Sequence, residues 1–85
     1  MNGTGDVGGE GDEEKDAMDY YETGKELFFR WKHDHSTEHV REIETKLRKA
    51  IELNHKLWAP HYYLGEVFYL GGRYSEAKAE FEEVL

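Results

Sequence analysis

Five apolar residues near the middle of this 85-residue chain recur at the same spacing 34 residues later. Val40, Ile43, Leu47, Ala50 and Ile51 superimpose under that single shift on Tyr74, Ala77, Phe81, Val84 and Leu85. Spacings of three, four and seven put each set on one stripe of an α-helix. A helical unit repeated at a fixed period cannot bury its stripe alone; stacked copies of the unit can. The remainder of the chain fits the same plan. Nowhere does apolarity alternate with period two, so strands are not expected and the fold class is all-α.

Four helices follow from the periodicity. The first runs from about Ala17 to His33, with Ala17, Tyr20, Tyr21, Gly24, Leu27, Phe28 and Trp31 on its stripe. The second begins near Ser36 and Thr37, either of which suits a cap, and keeps Arg41, Glu42, Lys46, Arg48 and Lys49 on its outer face. Pro60 fits the first turn of the third, where a missing N–H is harmless. That helix stops at Gly71-Gly72, and the fourth starts around Tyr74.

The details inside this period carry a family resemblance. Leu64-Gly65, then Phe68, then Gly72 and Tyr74, then Ala77 and Phe81 form a pattern that resembles the tetratricopeptide repeat. LRKAIELNHKLWAPHYYLG is similar to that family's junction between repeats, with Ala50 as the small residue closing one repeat and Trp58 opening the next. His61 stands where the motif prefers Trp, and His55 where it prefers proline. Aligning Gly24 with Gly65 puts Leu27 on Phe68, but the shift becomes 41, so seven extra residues lie between Leu27 and Val40. Seven residues are close to two turns, so one added turn per helix keeps the faces in register. The resemblance implies antiparallel helix pairs of a right-handed superhelix. Residues 17–57 are expected to form an elongated first repeat and 58–85 a second, with Gly65 and Ala77 small where helices press together and Phe68, Tyr74 and Phe81 filling the space around them.

Residues 1–16 read differently. They hold five of the nine glycines and six acidic residues against one lysine, and are expected to form a disordered acidic tail. About seventy residues remain to build a core, a size at which one core is marginal without help. The chain breaks off at the twenty-eighth residue of a repeat counted from Trp58, on apolar Val84-Leu85. The expectation is a fragment of a longer repeat array or a short protein that buries this end by self-association. With no cysteine, disulfides and thiolate metal sites are excluded. No apolar run approaches the about 20 residues of a membrane span, and no signal peptide is visible, so a soluble cytoplasmic protein is expected. A net charge of −8 argues against nucleic acid.

Function is expected to be binding. Twelve aromatics exceed what two hairpins need for a core. The resemblance implies that the first helix of each repeat lines a groove for a partner peptide or helix. Tyr21, Lys25 and Phe28 would face it from the first repeat, and Tyr62, Glu66 and Tyr69 from the second. Family members that clamp acidic chaperone tails use Lys and Asn four apart; of the corresponding positions here only Lys25 is basic, and Glu66 would repel a carboxylate. The competing reading is structural: Tyr62, Tyr63 and Tyr69 pack against an adjoining repeat or a second copy. A metal site at His33, Asp34, His35 and His39 is a weaker alternative to a solvated turn. No phosphate loop, nucleophile elbow or catalytic cysteine is present, so neither an enzyme nor a cofactor is expected.

Overall fold

The computed structural model describes the backbone of residues 3–85, and side chains from Asp16 onward except that of Thr37. It is all-helical: α1 (Gly3–Asp34), α2 (Thr37–Leu53), α3 (Ala59–Leu70) and α4 (Tyr74–Val84). The last three begin within a residue or two of where caps, Pro60 and the Gly71-Gly72 pair place them. Helix α1 differs, for its backbone begins at Gly3 rather than near Ala17. Apolar periodicity registers only the packed part of a helix, and Ala17, fully buried, is the first residue of that part among the described side chains. The expectation of a disordered tail falls on residues 1–16, of which Met1, Asn2 and the side chains through Lys15 lie outside the described residues.

The turns explain the pairing. At the end of α3, Gly72 takes a left-handed φ of 82°. Its N–H donates to the Tyr69 carbonyl, and the Arg73 N–H to that of Phe68 at 2.7 Å, a reciprocal closure that satisfies two orphan carbonyls. Helix α1 ends in a simpler version: His35, at φ 57°, donates its N–H to the Trp31 carbonyl. The Ser36 side chain makes no capping bond; its N–H donates instead to Asp34 Oδ1. Between the pairs, where His55 stands at the position the motif gives to proline, Asn54 makes the turn, its side-chain oxygen accepting from the Lys56 N–H at 3.1 Å. Short connections and long mutual contact make α1/α2 and α3/α4 antiparallel pairs.

Both pairs close on a glycine. A Cβ added to Gly24 would lie 2.8 Å from Leu47 Cδ2, and one added to Gly65 would lie 2.5 Å from Phe81 Cε1. Leu47 and Phe81 are related by the 34-residue shift and the glycines by 41, so the same close approach is built twice although the first pair is longer. The extra residues lie in the helices at the turn: α1 runs on to Asp34 past Leu27 and α2 starts at Thr37 ahead of Val40, whereas α3 ends at Leu70 just past Phe68 and α4 starts at Tyr74 itself.

Helix α3 is the centre of the fold, touching α1, α2 and α4. Its Leu64, Val67 and Phe68 join Phe28, Trp31, Ile43, Leu47 and Ala77 in one buried cluster. Phe68 is also flanked by two guanidinium groups: Arg73 lies 4.3 Å from its ring centroid and Arg48 5.6 Å. Arg73 binds Glu76 through both Nε and Nη2 at 2.7 Å and reaches Glu44 on α2 at 2.6 Å. One side chain thus ties the α3–α4 turn to the first pair. Tyr74, expected beside Phe68 and Phe81 in the packed space, is instead 63% exposed and stacks edge-on with Tyr69. Ala77 takes the contact with the core instead, and the Tyr74 ring at the first residue of α4 meets only Tyr69 among the described aromatic rings.

Candidate functional site

Exposed aromatic side chains on α3 and α4 are the feature most in need of a functional account. Helix α3 carries Tyr62, Tyr63 and Tyr69, and helical geometry sends them in different directions. Tyr63 faces α1, with ring centroids 5.2 Å from Phe28, 6.0 Å from Phe29 and 6.1 Å from Tyr21. Burial pushes the Tyr63 hydroxyl above the usual tyrosine range, and the neighbouring Tyr21 adds to the effect. Tyr21 is raised as well, by burial first and then by Glu22. Lys25 and Glu66 both lie close enough to act on Tyr63, and the Lys25 ammonium stands 5.3 Å over the Tyr21 ring. Of the expected groove residues, Tyr21, Lys25 and Glu66 are therefore gathered around Tyr63.

The others are not. Phe28 is only 2% exposed and belongs to the core, because α3 lies across it; it cannot line an open groove. Tyr62 turns toward α4, its ring 6.2 Å from Phe81. Tyr69, 56% exposed, joins Tyr74 at the far edge of α4. There a depression of about 600 Å³ opens between the end of α3 and the outer face of α4, floored by Ala77 and Phe81 and bounded by Tyr69, Tyr74 and Leu85.

The internal repeat explains this flank. The 34-residue shift carries Val40, Ile43, Leu47 and Ile51 onto Tyr74, Ala77, Phe81 and Leu85. In the first pair, Ile43 and Leu47 are fully buried, and Val40 and Ile51 pack against the core that α3 completes. In the second pair no helix covers the equivalent face among the described residues, and Leu85 is fully exposed. The exposure of Tyr74 was not expected from the sequence, which placed it in the packed space beside Phe68 and Phe81. Tyr74 belongs to the flank because its counterpart Val40 lies only at the margin of the core.

Other side-chain groups offer less. His61 Nδ1 lies 2.8 Å from Glu80 Oε1, with Arg48 3.9 Å from the other carboxylate oxygen, which pins α3 to α4 and α2. The histidine that replaces the motif's Trp is thus a structural tie. In the α1–α2 turn, His39 Nδ1 lies 3.6 Å from Asp34 Oδ1, but no three ligands converge among the described residues. Asp34 Oδ1 already accepts from the Ser36 N–H. Among the described residues, no helix is long and apolar enough to cross a membrane. No family model, no curated protein and no solved structure matches the chain.

Proposed function

We propose that the chain is a non-catalytic, cytoplasmic protein-interaction module of the tetratricopeptide type, and that it docks a helix of another protein segment on the α3/α4 flank. The observation that carries this reading is the uncovered face formed by Tyr69, Tyr74, Phe81 and Leu85, whose counterparts in the first pair are closed by α3. The flank asks for what α3 supplies to α1 and α2: an amphipathic helix with an apolar stripe like that of Leu64, Val67 and Phe68. Tyrosines at its rim offer contact area with little rotamer entropy to lose.

A second reading keeps the partner in the groove between the first helices of the two pairs. The cluster of Tyr21, Lys25 and Glu66 around Tyr63 supports it. Burial of Phe28 removes that groove's expected apolar floor, so the flank is the stronger site.

A synthetic peptide copying residues 58–73 distinguishes the two when it is titrated into the isotope-labelled chain and followed by NMR. Shift changes confined to Tyr69–Leu85 are expected. Changes centred on Tyr21, Lys25 and Glu66 would move the site to the groove, and no change at millimolar peptide would overturn both readings.

A further inference from the structure

The exposed edge of α4 is a helical stripe whose spacing lets it pair antiparallel with a second copy of itself. Residues 74, 77, 78, 81, 82 and 85 line the flank from this helix, and they mirror one another about a point between Ala79 and Glu80. Two copies of α4 laid antiparallel about that point would set Tyr74 opposite Leu85 of the second copy. Lys78 would then sit within one residue, about 1.5 Å along the axis, of Glu82 of the second copy. At 100° per residue, Lys78 and Glu82 fall on the same side of the apolar stripe. A two-fold axis perpendicular to two antiparallel helices keeps like edges on the same side, so both charges meet their opposites twice. Parallel helices related by a two-fold along their axes would instead put the Lys78 and Glu82 edges of the two copies on opposite sides of the seam, where neither charge meets its opposite.

Both charges are available. Lys78 and Glu82 are exposed, and neither enters an ion pair among the described residues. We infer that the partner seated on the α3/α4 flank is a second copy of this chain, joined through an antiparallel, two-fold α4–α4 contact in which Lys78 of each copy faces Glu82 of the other. The inference rests on the flank being the docking surface and names its occupant. The apolar residues supply the driving force, and the reciprocal charges choose the antiparallel orientation.

Charge reversal in the full chain tests it, because Lys78 and Glu82 are exposed and their replacement leaves the core intact. Sedimentation velocity of the wild-type chain should show a shift from 10.0 kDa toward twice that mass as concentration rises from micromolar to millimolar. Lys78→Glu and Glu82→Lys should each weaken association by roughly tenfold or more, since the two-fold repeats every like-charge contact. Mixing the two variants should restore association as a one-to-one heterodimer. Neither variant carries an intact Lys78–Glu82 pair within its own helix, so only contact between copies can produce that rescue. A wild-type chain that stays monomeric at millimolar concentration, or variants that associate like wild type, or a mixture without rescue, would each overturn the inference. Peptide binding to the flank of a monomeric chain would leave the proposed function standing and remove only the second copy.

Discussion

Alanine at Gly24 tests the pairing of the helices more sharply than alanine at Gly65, although the contact at Gly65 is the tighter. The new methyl at position 24 would sit 2.8 Å from Leu47 Cδ2 and 2.9 Å from its Cγ. Leu47 is fully buried, and displacing Cγ means turning the whole side chain inside a close-packed interior. Overpacking of this kind costs about 1–3 kcal/mol, against about 1 kcal/mol gained by alanine over glycine in a helix. At Gly65 the methyl meets the Phe81 ring at 2.5 Å, but Phe81 is half-buried and borders the open flank. Its ring can swing outward, so the strain falls near the low end and the helical gain cancels most of it. Gly24→Ala is thus expected to lose about 1–2 kcal/mol and Gly65→Ala to stay within about 0.5 kcal/mol of wild type. Each kcal/mol moves the melting point of a domain this size by roughly 4–8 °C, well within reach of circular dichroism. Gly65→Leu, too large for a swing of one ring to relieve, should lose about 3 kcal/mol. A Gly24→Ala protein that melts at or above wild type, or a reversed order with Gly65→Ala the more damaging, would refute the reasoning.

Three further perturbations follow from the same contacts. Ala77→Glu places a carboxylate where the wild-type side chain is buried against the α3–α4 core at the floor of the flank, and should cost several kcal/mol, about 3; a chemical melt with an unchanged midpoint would contradict that burial. Arg73→Ala removes the guanidinium that holds Glu76 and Glu44 and covers Phe68, and about 1 kcal/mol should be lost, kept small because Arg73 is well exposed. The hydrogen bonds from Arg73 hold Glu76 below the usual carboxylate range, and Lys49 does the same for Glu52. A depressed folded pKa contributes stability above the unfolded value and loses it as pH falls through the folded one, so melting points should drop below about pH 4, and less steeply in Arg73→Ala. An identical acid slope in that variant would sink the assignment. Zinc at millimolar concentration should leave both helix content and melting point unmoved, since the turn around His33, His35 and His39 assembles no three-ligand set among the described residues; a raised melting point would restore the metal reading.

Much of this fold is legible in the sequence because the features that encode it are local. Pro60, Gly71 and Gly72 mark helix ends through backbone chemistry that acts within four or five residues, and α3 begins and ends, and α4 begins, accordingly. The stripe from Ile43 to Ala50 is buried as its spacing predicts. What was misread depends on neighbours that no local pattern specifies. Phe28 and Tyr69 are equivalent under the 41-residue shift, and both read as groove aromatics. One is sealed and the other is open, because α3 lies over the first pair and nothing among the described residues lies over the second. Val40 and Tyr74 divide in the same way. In a stacked array the environment of a residue is set by its position within the unit and by whether a next unit follows. Periodicity reports the first and is silent on the second. Tyr74 and Leu85, equivalent by the 34-residue shift to the partly buried Val40 and Ile51, are exposed, and Tyr69, equivalent by the 41-residue shift to the buried Phe28, is exposed with them, which is the asymmetry on which the proposed docking surface rests.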